Sequence, residues 1–361
     1  MPGSNGTTSG LQGASTADCP RARAEDRLIL APMRRLVGLG LALCALGALS
    51  PTALAREPRL VVGPSKLRSS LFCQESVTNA ARTPVLLVTG TGVDGSEAWP
   101  DGLQLSLIRA GVPSCYVNFP QRTTGDIQVA VQYLVHAVRV VRRRADRDIA
   151  VYGISQGGLL PRLALTYWPS LRAKVSDAVL LAGTQHGTTV LRPLLAACAA
   201  NCRLPAAAWQ QTAGSNLLRA LNRPGRDETP GPTSWTTVRT LFDEIVQPTG
   251  GPHPTSALDG ASNLVIQRIC PGRATNHIGT GVDSVSYAAL RDAMTHPGPA
   301  RAARINRSVC RRPYAPGLDP ERTSAGIADT YARAAPRTLQ GAEDGMLLSR
   351  EPVVRRWVRA R

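Results

Sequence analysis

A serine with a glycine two residues to either side constrains this chain more than any other feature. The pentapeptide is Gly153-Ile154-Ser155-Gln156-Gly157, with a strand-like run at 148–152 before it and a helix-like run at 159–168 after it. A serine on such a strand-to-helix turn projects its hydroxyl from the edge of the sheet. The helix N-terminus offers backbone N–H groups where an oxyanion would form. The pattern therefore predicts Ser155 as a nucleophile; the alternative is a glycine-rich turn with a surface serine.

Strand-like and helix-like runs alternate through the middle of the chain. Apolar residues at helical spacing predict a helix over 127–138 and another over 284–294. Short apolar runs predict buried strands over 84–88, 112–119, 177–183, 235–242 and 263–269. Because strands and helices alternate, we expect an α/β fold with a mostly parallel central sheet flanked by helices on both faces.

The first 55 residues have the pattern of an export signal. A basic start at Met33 is followed by a 14-residue apolar stretch, 36–49, and a small-residue cleavage pattern at 53–55. The stretch is short for a spanning helix, so a cleavable signal peptide over 33–55 is favoured over an uncleaved anchor. We expect a secreted protein. Residues 1–32 are interpreted as an N-terminal extension that precedes the true translation start at Met33.

The rest of the chain is predicted to form one catalytic domain and a tail. Residues 56–315 are assigned to the domain, and 316–361, which are arginine-rich, to a C-terminal surface extension. Residues 191–222 are rich in leucine and alanine and follow a strand on the serine side. They predict a small helical cap over the substrate cleft, or equally an ordinary packing excursion.

Charge and cysteine content restrict the partners. The formal net charge of +17 is almost wholly due to arginine, and the arginines are scattered without a recognised nucleic-acid-binding motif. We therefore expect no nucleic-acid partner, although such a surface could attract anionic lipid or cell-wall polymer. Six cysteines follow the leader, which predicts disulfides with 15 open connectivities. No Cys-x-x-Cys is present, and we expect neither metal nor cofactor.

A nucleophilic serine needs a base that an acid holds in the right tautomer. In this architecture the chain order is serine, acid, histidine. Asp243 directly follows the strand predicted to end at Phe242, and His277 lies eight residues beyond Ile269, the end of the last predicted strand. They are the predicted acid and base. The competing carboxylates are Glu244 and Asp259, and the histidines that fit less well are His136, His186, His253 and His296.

Two backbone donors are predicted to hold the oxyanion. One is the N–H of Gln156, the residue after the nucleophile. The other comes from Thr91, which stands between Gly90 and Gly92 after the first buried strand. Glycines let the backbone approach a substrate closely, although a plain turn would have the same composition.

Several stretches resemble the lipase B-like lipases of the α/β-hydrolase superfamily, in the same order along roughly residues 70–310. They are residues 84–92, 155–175, 209–215, 243–248, 277–279 and 286–287. The resemblance implies an α/β-hydrolase fold, a triad of Ser155, Asp243 and His277, and an oxyanion hole of Thr91 and Gln156. It also implies that Gln210 borders the substrate cleft.

The resemblance implies a disulfide pattern and two departures from the family. Cys73 would pair with Cys115, and Cys270 with Cys310, leaving Cys198 and Cys202 to each other. Ile154 stands where the family has a bulky tryptophan, so the alcohol side of the cleft is expected to be roomier. Gln185 and His186 stand about where it has an aspartate near the acyl pocket, so the acyl preference of the family does not carry over to this chain.

Together these features predict a secreted carboxylic-ester hydrolase that works through an acyl-enzyme. Its substrate would be an ester or lipid, most specifically a triacylglycerol. The protein would act as a monomer at a lipid–water interface. An acyltransferase or polyester depolymerase would use the same triad. A protein of a different class, a catalytically silent, basic surface-binding module, is the remaining alternative.

Overall fold

The computed structural model describes residues 57–198, 201–340 and 346–359. Contacts divide the chain into two units, Met1–Leu54 and Ala55–Arg361, and the first lies outside the described residues. The predicted N-terminal extension (1–32) and signal peptide (33–55) lie outside them as well.

A seven-stranded sheet forms the centre of the second unit. In sheet order its strands are β1 (Leu71–Cys73), β3 (Ser114–Val117), β2 (Val85–Val88), β4 (Ile149–Ile154), β5 (Val175–Leu181), β7 (Ser234–Arg239) and β8 (Ser262–Val265). All neighbouring strands are parallel except β1, which pairs antiparallel with β3 at one edge. A separate two-stranded ladder joins β6 (Leu204–Pro205) to β9 (Leu347–Leu348).

Helices cover this sheet on both faces. They are α1 (Pro64–Ser69), α2 (Gly95–Ala98), α3 (Leu103–Arg109), α4 (Ile127–Ala145), α5 (Gln156–Tyr167), α6 (Arg192–Cys198), α7 (Ala206–Gln211), α8 (Asn216–Leu221), α9 (Ile266–Ile269), α10 (Ser284–Thr295), α11 (Pro320–Gln340) and α12 (Arg356–Arg359). The predicted fold class is confirmed. None of the described helices is long and apolar enough to cross a bilayer.

Alternate residues of the central strands enter two separate cores. In β2, Leu86 and Val88 join the core that contains α4 and α5, whereas Val85 and Leu87 join the core that contains α3 and α10. Side chains alternate between the faces of a sheet, so these two cores are its two covered faces. Burial on both faces explains why β2 is apolar along its whole length.

The last predicted strand is shorter than its sequence pattern suggests. The apolar run over 263–269 was expected to be one strand, but β8 ends at Val265 and the chain turns directly into α9. A short apolar run has the same composition in a buried strand and in a buried helix, so periodicity could not separate the two.

Three disulfides connect the pairs that the resemblance implied. Cys73–Cys115 joins β1 to β3 at a position where the two cysteines are register partners. Cys270–Cys310 closes the segment after α9, and Cys198–Cys202 lies at the end of α6.

The region predicted as a cap divides into two parts. Helix α6 has no buried residue, whereas α7 and α8 bury Ala207, Leu217, Leu218 and Leu221 in the core beside α4 and α5. Helix α6 is therefore the more exposed part of this region, and the other two helices are part of the packing of the domain.

The segment 346–359 differs from the expected surface extension. Trp357 packs against Tyr167 and Trp168 of the domain, with 5.0 Å between ring centroids in both pairs. Val354 and Val358 are buried in the same core. The apolar residues of this segment stand in short clusters between arginines, and such clusters are too short for periodicity to indicate that the segment docks.

Candidate active site

Ser155 lies on a tight turn between β4 and α5. Its φ and ψ are 60° and −124°, a conformation that is strained for a residue with a side chain. A Cβ on Gly153 would lie 2.0 Å from the carbonyl oxygen of Gly157, and one on Gly157 would lie 2.3 Å from that of Val88. Neither position accepts a side chain, so the two glycines of the pentapeptide are steric requirements of this turn.

Asp243 and His277 form a buried hydrogen-bonded pair. Oδ2 of Asp243 lies 2.9 Å from Nδ1 of His277, and the residues are only 2% and 4% exposed. The other carboxylate oxygen accepts the backbone N–H groups of Ile245 at 3.0 Å and Val246 at 2.7 Å. An ionised carboxylate can only accept, so Nδ1 carries the proton and Nε2 is left free to act as a base.

The competing carboxylates have other partners. Oε2 of Glu244 accepts the backbone N–H of His277 at 3.2 Å rather than an imidazole N–H. Asp259 is exposed, and its backbone N–H donates to Glu228 at 2.8 Å. Asp243 is thus the carboxylate that holds the ring of His277.

The turn that follows His277 packs on the end of β4, next to the serine. The hydroxyl of Tyr152 donates to the carbonyl oxygen of Gly281 at 3.0 Å, and a Cβ on Gly281 would lie 3.1 Å from Cδ1 of Ile154. Parallel strands end at a common edge of the sheet, and the three predicted residues follow β4, β7 and β8. Within the described residues no hydrogen bond joins the Ser155 hydroxyl to His277; such bonds tighten when substrate binds.

The loop that carries Thr91 also reaches the serine. A Cβ on Gly90 would lie 2.8 Å from Cβ of Ser155. The hydroxyl of Thr91 donates to Oε1 of Gln156 at 2.7 Å and accepts from Nε2 of Gln211 at 2.8 Å. The structure therefore brings together the two residues predicted to hold an oxyanion, and it adds a glutamine that the sequence interpretation did not name.

Sequence and backbone both match known lipases. No protein-family model matches the chain. Lipase B of Pseudozyma antarctica is 31% identical over 277 residues, which cover 75% of this chain and 79% of that relative. This chain belongs to the lipase B family. The crystal structure of Aspergillus fumigatus lipase B aligns with a TM-score of 0.74 and 26% sequence identity, over 86% of this chain and 75% of that one.

Membership of the lipase B family makes the chain a carboxylester hydrolase, which confirms the predicted enzyme class. Among the described residues, no group of three or more histidine, cysteine or acidic side chains is arranged to hold a metal ion.

In this lipase B family member, Gln211 and not Gln210 reaches the group around Thr91. Gln210 is 0% exposed; its Oε1 accepts the backbone N–H of Ile127 at 2.7 Å and its Nε2 donates to Asp126 at 2.7 Å. It therefore secures the start of α4, and its position at the border of the substrate cleft stays a prediction. Successive residues on a helix point in different directions, so only one of two adjacent glutamines can face the loop.

Of the other residues predicted to border the cleft, Ile154 lies next to the serine, whereas Gln185 and His186 bind other groups. Ile154 ends β4 next to Ser155 and is partly exposed. Gln185 is buried, and its Nε2 donates to the carbonyl oxygen of Gly158 in α5 at 2.8 Å. His186 binds Glu228, with Nε2 at 2.8 Å from Oε1. The structure brings neither Gln185 nor His186 into hydrogen-bond contact with Ser155.

Glu228 joins His186 to a buried arginine of the nucleophile helix. Nη2 of Arg162, whose side chain is fully buried, lies 3.0 Å from Oε1 of Glu228. Burial alone would raise the pKa of Glu228, but the hydrogen bond from His186 and the charge of Arg162 lower that pKa to about 2. The ion pair offsets the free-energy cost of burying the charged Arg162 side chain.

Replacing Glu228 with glutamine is expected to destabilise the fold by about 3 kcal/mol at neutral pH. The folded-state pKa of about 2 lies below the usual 4.5, so the contribution of this carboxylate is present above pH 4.5 and is lost as pH falls toward 2. Chemical denaturation of wild type and Glu228→Gln across that range measures the difference, with the exposed Glu75→Gln as the control. A gap that stays constant with pH would contradict the assigned ion pair.

Proposed function

We propose that this protein is a secreted lipase that hydrolyses triacylglycerols and related esters through Ser155, His277 and Asp243. The observation that carries the proposal is the buried Asp243–His277 pair, placed by its loop at the sheet edge where the strained serine lies. Membership of the lipase B family supports the same chemistry.

In the proposed mechanism, Nε2 of His277 takes the hydroxyl proton of Ser155 while the serine oxygen attacks the ester carbonyl. The tetrahedral intermediate collapses when His277 returns this proton to the departing alcohol, which leaves an acyl-serine. Water, deprotonated by the same imidazole, then attacks the acyl-serine, and the acid leaves as His277 returns the proton to the oxygen of Ser155. Asp243 stays ionised throughout and stabilises the imidazolium.

The proposed oxyanion hole consists of the backbone N–H groups of Thr91 and Gln156. The side chains of these two residues bind each other, and Nε2 of Gln211 donates to both, at 2.8 Å to the Thr91 hydroxyl and 3.2 Å to Oε1 of Gln156. Oε1 of Gln211 accepts the hydroxyl of Thr184 at 3.0 Å. Donors that are fixed before reaction stabilise developing charge without a reorganisation cost. The network is thus suited to fixing the loop that presents the Thr91 N–H.

Exposed apolar side chains around Asp243 support a lipid substrate at a lipid–water interface. Leu241, Phe242 and Ile245 flank the acid, and Phe242 is 56% exposed. The exposed Val190 lies nearby, because the N–H of Thr189 donates to the carbonyl oxygen of Gln247 at 3.1 Å. A group of exposed apolar side chains favours contact with a lipid surface. We expect the enzyme to work there as a monomer without a cofactor.

Secretion is supported by the three disulfides, because such bonds persist in oxidising compartments outside the cytosol. The predicted signal peptide over 33–55 would direct the export.

Labelling with an alkyl organophosphonate tests the proposal. Wild type is expected to lose hydrolysis of p-nitrophenyl esters and of emulsified triacylglycerol in step with the incorporation of one phosphonyl group. Peptide mapping should place this group on Ser155. A folded protein that resists labelling would instead be the catalytically silent surface binder. Product analysis with a competing alcohol identifies an acyltransferase, and release of soluble fragments from a polyester film identifies a depolymerase.

A further inference from the structure

Helix α11 lies against the turn that carries His277. Its partly buried residues, Thr323, Ile327, Thr330 and Tyr331, recur at helical spacing and form one face, while most of the helix up to Arg333 is exposed. A Cβ on Gly279 would lie 3.7 Å from Cδ1 of Ile327, so this face covers the turn Ile278–Gly281. The helix therefore contacts the chain directly after the proposed base.

Tyr331 links this helix to both sides of the acid–base pair. Its hydroxyl donates to Oε1 of Glu244 and accepts the backbone N–H of Ile278 at 3.3 Å. The other oxygen of Glu244 accepts the backbone N–H of His277 at 3.2 Å. These three hydrogen bonds close a ring through one phenol, one carboxylate and two successive peptide groups.

The ring is attached to the acid as well as to the base. Glu244 follows Asp243 directly in the chain, so a shift of the Glu244 backbone would move the carboxylate that holds the imidazole. Burial, and then the hydrogen bond to Glu244, raise the pKa of Tyr331 well above its usual value. The phenol consequently stays protonated and keeps donating across the range in which an imidazole acts as a base.

We propose that Tyr331 is a positioning residue for the triad: from α11 it fixes Glu244 and the peptide after His277, and so sets the direction of the imidazole toward Ser155. The proposal rests on the proposed function, in which His277 is the general base. Among the described residues Tyr331 makes no hydrogen bond to Ser155 or Asp243; it acts through the carboxylate of Glu244 and the backbone N–H of Ile278.

A small displacement of the imidazole is costly, because a misplacement of about 1 Å can reduce a rate by about 100-fold. Removing only the hydroxyl leaves Ile327 in place on the turn, so a smaller shift is expected. Tyr331→Phe should lower kcat for p-nitrophenyl butyrate about tenfold, with KM changed less than about twofold, because substrate contacts are untouched.

Tyr314→Phe is the matched control. The hydroxyl of Tyr314 shares a hydrogen bond of 2.8 Å with the hydroxyl of Ser324 on the same helix, but not with the loops of the triad. Both variants lose one phenol hydroxyl that ties α11 to the domain. If α11 acts only as structural packing, the two should have equal effects on kcat and on the thermal midpoint. The proposal requires the loss of kcat in Tyr331→Phe alone.

A second readout does not depend on turnover. The proton on Nδ1 of His277 should give a low-field NMR signal that shifts or broadens in Tyr331→Phe and stays unchanged in Tyr314→Phe. An unaltered signal together with wild-type kcat in Tyr331→Phe would overturn the positioning role. Failure of the proposed function looks different, because wild type itself would then show no ester turnover and no phosphonate labelling.

Discussion

Ser155→Ala is expected to reduce ester hydrolysis by about a millionfold, which is the loss seen when a triad loses its nucleophile. The alanine keeps the Cβ, so the turn between β4 and α5 should retain its φ of 60° and the fold its thermal midpoint. Without the hydroxyl, no acyl-enzyme can form. Initial rates on p-nitrophenyl butyrate, measured beside thermal unfolding, check both expectations.

Ser96→Ala serves as the control for this variant. Ser96 is exposed on α2, close in sequence to Thr91, and its substitution should leave the rate nearly unchanged. Hydrolysis that survives in Ser155→Ala at more than a trace, in protein with the wild-type thermal midpoint, would mean that a different group attacks the ester.

Asp243→Asn should cost about 10⁴-fold in kcat at neutral pH, by analogy with the same change in other triads. The amide oxygen can still accept the N–H groups of Ile245 and Val246, so the loop should hold its shape. The amide nitrogen, however, cannot accept the proton of His277 Nδ1. The imidazole would then turn to the tautomer in which Nε2 is protonated and is not a base.

Asp259→Asn separates this effect from a general loss of negative charge. Asp259 is exposed, so the change should leave kcat within about twofold of wild type, as most surface substitutions do. Measuring kcat/KM for both variants across neutral and alkaline pH gives the comparison. Equal rates in the two variants would remove Asp243 from the triad.

The predicted architecture is confirmed because its signals are local. The apolar runs that became β2, β5 and β7 are buried and bounded by turn residues, so their positions can be found from composition alone. The edge strand β1 is not among the predicted strands, since its three residues carry no periodic pattern. The docking of Trp357 depends on Tyr167 and Trp168, which are distant in sequence, and no local pattern indicates it.

For the candidate site, the order of residues along the chain could be used for prediction, whereas the directions of their side chains could not. Residues at strand ends of a parallel sheet converge, which led to Ser155, Asp243 and His277; their catalytic roles remain predictions until the variants above are made. The choice between Gln210 and Gln211 depends on how α7 is rotated. The contact between Tyr331 and Glu244 depends on where α11 lies, and neither quantity can be read from sequence spacing.

The backbone of Ser155 has a consequence for attempts to make this protein tolerate heat. Glycine adopts a φ of 60° at no steric cost, so a variant library screened only for survival at high temperature should enrich Ser155→Gly. The Ser155→Gly variants selected in this way would be more stable than wild type but inactive. Screens for robustness therefore have to score turnover in every round, since this position trades one property directly for the other.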